Sequence, residues 1–106
     1  MANSWAGEVA IWLDGQRHVG KLTLGALAEL EETLETESLL ELVQRFEEQR
    51  FSTRDVLALI VAGLRGGGWQ GQASDLLRVE IGGGPVEAAR AAAELLARAF
   101  SLPGEP

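Results

Sequence analysis

An uninterrupted apolar segment at residues 56–64 constrains the fold of this chain more than any other feature. Ser52 and Asp55 stand before it with the spacing of a helix N-cap and a first-turn acid. Three glycines at residues 66–68 follow it and predict the end of the helix. A helix that is apolar on all sides is usually buried, and this one has about half the length of a membrane span. We therefore expect a compact domain built around this helix.

A β-hairpin is predicted at residues 8–22. Asp14-Gly15 separates two runs that contain apolar residues, and this dipeptide favours a type I′ turn because both of its positions tolerate positive φ. With these two residues in the loop, Leu13 faces Gln16 and the register of the hairpin is determined. One face of the first strand is then apolar and is expected to lie on the core: Val9, Ile11 and Leu13.

Two helices are predicted between the hairpin and the central segment. Thr23 is the expected N-cap of the first helix, which ends near Glu35. Its apolar stripe follows three- and four-residue steps: Leu24, Leu27, Leu30 and Leu34. Ser38 and Glu41 have the spacing of a capping box at the start of the second helix. The apolar stripe of that helix is Leu39, Leu42, Val43 and Phe46.

The C-terminal part predicts a loop at residues 69–73, a short helix at residues 74–81 and a final helix that begins at Pro85 after three glycines. The apolar stripe expected to face the core is Val86, Ala89, Ala93, Leu96 and Phe100. The chain therefore predicts an α+β fold, in which the N-terminal hairpin is followed by a compact bundle of four or five helices at residues 23–100. Residues 1–106 are expected to form a single domain with a disordered tail at residues 101–106.

Charge is concentrated in one part of the chain. The formal net charge is −7, and residues 29–50 contain eight glutamates and two arginines. Such a surface repels a phosphate backbone, which excludes most nucleic-acid-binding functions. Two interpretations stay open, a solvated helical face or an electrostatic guide for a basic partner. The second interpretation makes three glutamates candidate partner-binding residues: Glu31, Glu35 and Glu41.

No set of residues indicates catalysis, a cofactor or a metal site. Gly15 and Gly20-Lys21 have most of the spacing of a P-loop, but Leu22 replaces the magnesium-binding hydroxyl and the residues lie in a predicted hairpin. His18 is the only histidine and there is no cysteine, so paired-histidine and thiolate metal sites are excluded. We expect no enzyme activity.

Three tryptophans lie outside the predicted helical stripes, at positions 5, 12 and 69. Each is a candidate either for core packing or for an anchor in a protein interface, where tryptophan is enriched. Trp69 is the preferred candidate for partner binding because its surroundings are rich in glycine.

Several segments, in their order along nearly the whole chain, resemble the gene transfer agent family of phage-type tail proteins. These segments are GEV at residues 7–9, LTLGALAELE at 22–31, FSTRDVL at 51–57, GLRGG at 63–67 and AAELLARAF at 92–100. Residues 69–82 depart most from the family pattern.

The resemblance implies a component of a tailed, phage-like particle that packages host DNA. Family members are described as tail assembly chaperones and also as tail tube proteins. A chaperone would bind the tape-measure protein and leave as the tube polymerises, whereas a tube subunit would stay in the particle. Tube subunits are mainly β, and this chain shows a single hairpin, so the sequence favours the chaperone.

The partners implied are tail proteins, namely the tape-measure protein and the tail tube subunit, with neither nucleic acid nor membrane. The N-terminal residues lack the pattern of a signal peptide, so the expected location is the bacterial cytoplasm or the particle itself. Two alternatives stay open: a structural, tube-associated component retained in the particle, and a free-standing adaptor or regulatory domain.

Overall fold

The computed structural model describes residues 7–34 and 38–100. Within them it contains one two-stranded antiparallel sheet followed by five helices, which confirms the predicted α+β class. The strands are β1 (Val9–Leu13) and β2 (Gln16–Gly20). The helices are α1 (Leu24–Leu34), α2 (Leu39–Glu47), α3 (Thr53–Gly66), α4 (Ala73–Leu76) and α5 (Gly84–Ala99). Glu35 and the predicted tail at residues 101–106 lie outside the described residues.

The hairpin forms in the predicted register. Asp14 and Gly15 make the turn with φ of 50° and 80°, and Leu13 pairs with Gln16. The face of β1 that carries Val9, Ile11 and Leu13 is buried, with at most 5% of each residue exposed. The dipeptide therefore determines which face of β1 joins the core, because a shift of one residue would turn the other face inward.

The helix α3 is central, as predicted. Ser52 and Asp55 form a reciprocal capping box at its start, and α3 then packs against α1, α4, α5 and β2. Its most buried large side chains are Leu59, Ile60 and Leu64, each at most 1% exposed. Neighbours on several sides explain why the segment carries no polar face.

The glycines at the end of α3 also allow close contact with the hairpin. A Cβ on Gly66 would lie 2.0 Å from the carbonyl oxygen of Lys21, and one on Gly67 would lie 1.9 Å from that of Val19. The backbone N–H of Lys21 donates to the carbonyl of Gly63 over 2.8 Å. These residues therefore both end the helix and bring it against β2, where a side chain would collide.

The predicted stripe of α1 is wrong at its first position. Thr23 caps the helix as expected, since its Oγ1 accepts the N–H of Ala26 over 3.1 Å. Leu24, however, is 84% exposed, and the buried residues of α1 are Ala26 and Leu30. A Cβ on Gly66 would lie 3.2 Å from the Cβ of Ala26, so α1 faces the end of α3 with the side that carries Ala26, where a larger residue would not fit.

The predicted helix at residues 74–81 is wrong in its second half. The helix α4 ends at Leu76, and Ile81 forms a β-bridge with Leu13. The N–H of Asp14 donates to the carbonyl of Glu80 over 2.8 Å, and that of Gly82 donates to Trp12 over 2.9 Å. The open edge of β1 supplies hydrogen-bonding partners that local helical preference could not anticipate.

The predicted core stripe of α5 is wrong at most of its positions, although Leu96 is buried as predicted. The residues buried there are Ala88, Ala91, Ala92, Leu95 and Leu96. Val86 is 80% exposed and Phe100 is 48% exposed, while Ala93 also faces solvent. Because α5 is rich in alanine, apolar residues occur on more than one face, and helical periodicity does not identify which face packs on α3 and β1. Pro85 does lie in the first turn, as expected.

Candidate protein-interaction site

A groove between α2 and α5 is a concave, partly apolar surface among the described residues. Its volume is about 340 Å³. The lining residues occur at helical spacing on the two helices: Val43, Phe46 and Glu47 from α2, and Ala93, Leu96, Ala97 and Phe100 from α5. A depression between two helices is one kind of surface on which a further helix can pack.

The helix α2, one wall of this groove, is held against the rest of the fold by apolar packing and by an ion pair. Leu42 is fully buried, and Phe46 stacks on Phe51 with ring centroids 4.5 Å apart. Arg45 also donates to both carboxylate oxygens of Asp55, from Nε over 3.1 Å and from Nη2 over 2.8 Å. This bidentate pair connects α2 to the N-terminal end of α3.

Asp55 is the one charged residue among the buried residues of the described chain. Burial raises the pKa of its carboxyl, but hydrogen bonds from Arg45 and Ser52 and the charge of Arg45 outweigh burial, and the pKa lies below its usual value of 3.8. The carboxylate is therefore held ionised, where it stabilises both the cap of α3 and the position of α2.

The charged flank of α5 is electrically balanced. Four residues along one side of the helix form consecutive ion pairs: Glu87, Arg90, Glu94 and Arg98. The hydrogen bond from Arg90 holds the pKa of Glu87 below its usual value, and the same bond raises the pKa of Arg90. Both side chains of that pair are in solvent, so the flank contributes solubility more than stability.

The glutamates predicted to bind a partner have different environments. Glu31 is exposed. Glu41 is also exposed, but its Oε1 accepts the N–H of Ser38 over 3.0 Å, and Ser38 Oγ accepts the N–H of Glu41 over 3.2 Å. This confirms the capping box, and it means that Glu41 has a structural role in α2 whether or not it meets a partner. Glu35 lies outside the described residues.

Trp69 is half-buried and packs against the core cluster. Its backbone N–H donates to the carbonyl of Leu64 over 2.9 Å, and its indole covers Gly71, where a Cβ would lie 2.1 Å from the ring. Its role as a binding anchor stays a prediction. Trp12 is 47% exposed on the hairpin, and Trp5 is outside the described residues.

The P-loop-like residues lie in the hairpin turn and in β2, so the context that phosphate binding requires is missing, as expected. His18 is half-buried and pairs with Ile11 across the sheet.

In the part of the chain that the structure describes, no three acidic, histidine or cysteine residues are grouped as metal ligands, and no helix has the length and apolarity of a membrane span. The lack of enzyme activity stays a prediction.

The α2–α5 groove was not predicted from the sequence. The predicted core stripe of α5 contains the signal for it. Of Val86, Ala89, Ala93, Leu96 and Phe100, only Leu96 is buried, and three of the five line the groove.

Comparison with known proteins gives one match. A model of the family described as "Phage tail tube protein, GTA-gp10" matches residues 6–102. No curated protein and no solved structure matches the chain significantly. The match covers almost the whole chain, including both strands, all five helices of the described residues and the groove. The chain therefore belongs to the phage tail tube protein family GTA-gp10 and is a component of a phage-like tail.

Proposed function

We propose that this protein is a structural component of the tail, associated with the tail tube and retained in the particle. The observation that carries the proposal is the family's description as a tail tube protein over residues 6–102. The net charge of −7 is compatible with that position, since a protein beside a DNA conduit must not bind the passing phosphate backbone. The uncovered apolar groove supplies a surface through which the chain can be held by a neighbour.

Quantitative mass spectrometry of purified particles tests this proposal. We expect many copies of the chain per particle, in a constant ratio to the tube subunit across preparations. An abundant cytoplasmic protein measured in the same samples is the control for contamination. If the chain is found only at the level of that control, it is not a retained component.

The sheet supports a second candidate, a tail assembly chaperone that binds the tape-measure protein and then leaves. Within the described residues the sheet has two strands. The outer edge of β1 is occupied near Leu13 by Ile81, and α3 lies against β2 at Val19. These contacts shorten the strand edges that could pair between copies, and two short strands offer little sheet for a β-rich stacked ring.

The chaperone candidate makes the opposite prediction for the composition of purified particles, and it adds two predictions for particle-producing cells. Particles would contain little of the chain, a deletion strain would make no functional tails, and the chain would capture the tape-measure protein from producing cells. Glu31→Lys is the suitable charge reversal, because Glu31 is exposed and Glu41 also caps α2. If the acidic segment guides encounter, this variant slows capture and the difference shrinks at high salt. Equal capture rates at low salt would contradict that guiding role.

A further inference from the structure

The helix α2 is loosely attached to the rest of the described fold. α1 packs on α3, and α5 packs on both α3 and β1, whereas α2 has no comparably extensive contact with any one described element. Leu42 is the one residue of α2 that is buried, while α3 buries six of its residues. At nine residues, α2 is also too short to be stable as an isolated helix. Its helical state therefore depends on a small set of contacts.

Two of the contacts that hold α2 involve residues close to it in sequence. Arg45 pairs with Asp55 in the first turn of α3, and Phe46 stacks on Phe51 in the segment that leads to α3. The side chains of the ion pair are 19% and 10% exposed, so salt screens their attraction little. Both contacts connect α2 to the start of α3, and neither involves the sheet, α1 or α5. Both would break if α2 moved away, and the other elements would keep their contacts with one another.

The connection from α2 to α3 contains a strained residue. Gln49 has a φ of 57°, a left-handed conformation that glycine usually provides at the end of a helix because it has no Cβ. The N–H of Gln49 donates to the carbonyl of Phe46 over 3.2 Å, and that of Arg50 donates to the carbonyl of Arg45 over 2.8 Å. The strained conformation therefore accompanies the last turn of α2, and the strain is released when that turn comes apart.

We propose that α2 is a hinged cover, which opens as a unit at residues 48–51 while the sheet and α1, α3 and α5 stay folded. Opening brings Leu42 and Phe46 into solvent and uncovers Leu96 of α5, which lines the groove beside α2 and is 4% exposed when the cover is closed. A partner that binds the opened state more tightly shifts the equilibrium toward it. The inference does not depend on retention in the particle, because opening is a property of the chain alone.

Cysteine labelling tests the opening directly, because the chain contains no cysteine. Leu42→Cys places a single thiol on α2 and Leu59→Cys places a matched one on α3, where both leucines are 0% exposed. The rate of reaction with a thiol reagent, divided by the rate in the unfolded chain, gives the fraction of time that each site is open. We expect position 42 to react roughly a hundredfold faster than position 59, with a weaker dependence on urea, since one helix exposes less surface than the whole chain. Equal rates with equal urea dependence would overturn the proposal.

Hydrogen exchange of the unmodified chain gives the same comparison if either cysteine variant does not fold. The amides of residues 43–47 in α2 should exchange through an opening of lower free energy than those of residues 59–64 in α3. Exchange of both groups only through global unfolding would mean that α2 does not open by itself.

The ion pair supplies a further test of the motion. In the Leu42→Cys background, Asp55→Asn should raise the labelling rate at neutral pH roughly tenfold or more, because it removes a charged hydrogen-bonded pair that opening must break. Asparagine is still a suitable side chain for the cap of α3, so the variant acts on the contact with α2. Glu87→Gln, which removes a solvent-exposed pair with Arg90, is the matched control and should leave the rate unchanged. An unchanged rate in Asp55→Asn would show that Arg45 and Asp55 do not separate, which contradicts the proposed motion.

Discussion

The helices α3 and α5 have similar apolar content along much of their length and very different surroundings. α3 contacts α1, α4, α5 and β2, and it buries Leu59, Ile60 and Leu64 almost completely. α5 packs on α3 and β1 along one face, and Val86 and Phe100 on another face are left in solvent. Apolar composition therefore shows that a helix has apolar surface to bury. The number of elements that pack on the helix decides how much of that surface the same chain buries.

The comparison separates two uses of apolar surface. On α3 the apolar residues contribute to the free energy of folding, since each is removed from water by the fold itself. On the exposed side of α5, which carries Val86 and Phe100, they stay in solvent and contribute little to folding. Substitutions of similar chemistry should therefore have opposite consequences for stability and for binding on the two helices.

The largest effect is expected at the centre of α3. Ile60→Asp places a carboxylate at a position that is 1% exposed. Burial of an unpaired charge costs several kcal/mol against a total stability of about 5–15 kcal/mol, so the variant should not fold. Circular dichroism measures whether the variant folds, and thermal melting measures its stability. A cooperative melt at the parent's temperature would mean that α3 is not the core.

The core face of α5 should respond next most strongly. Leu95 is fully buried, and a Cβ on Gly63 would lie 2.6 Å from its Cδ1 atom, so its side chain fills the space left by that glycine. Leu95→Ala should lower the free energy of unfolding by about 2–5 kcal/mol through lost burial and a new cavity. Chemical denaturation measures the change. A loss below about 1 kcal/mol would show that α5 packs less tightly on α3 than described.

The ion pair between α2 and α3 should have an intermediate effect that depends on pH. Asp55→Asn removes the charge that Arg45 binds and should cost about 1.5–3 kcal/mol at neutral pH. Because the folded state lowers the pKa of Asp55, its stabilisation is present above the unfolded pKa and is lost as pH falls through the folded pKa. The melting temperatures of parent and variant should therefore converge below about pH 4. A gap that is constant down to pH 2 would contradict this origin.

The smallest effect is expected at Val86, on the exposed side of α5. Val86 is 80% exposed, so Val86→Ala should change the free energy of unfolding by about 0.5 kcal/mol or less. The same denaturation experiment as for Leu95→Ala makes the two results directly comparable. A cost as large as that of Leu95→Ala would remove the distinction between the two faces of α5 and, with it, the case for a free binding surface.

Much of the architecture was determined by local sequence. Asp14-Gly15 determined the turn and register of the hairpin, because few dipeptides adopt positive φ at both positions. Ser38 and Ser52 determined the starts of α2 and α3 through capping boxes that involve residues three positions later. The central position of α3 followed from the absence of any polar face. Each of these features depends on residues that are neighbours in the chain.

The tertiary structure alone decided which face of the alanine-rich helix α5 is covered. It also decided where the chain departs from its local preference for helix. Residues 77–81 leave the helical conformation because the edge of β1 offers Ile81 a pairing partner 68 residues away in sequence, at Leu13. α1 turns Ala26 and not Leu24 toward the core, because α1 approaches Gly66 closely at Ala26. Val86 and Phe100 stay exposed because no further element of the described residues packs on that side of α5. These outcomes depend on contacts between distant segments, which periodicity along a single segment cannot encode.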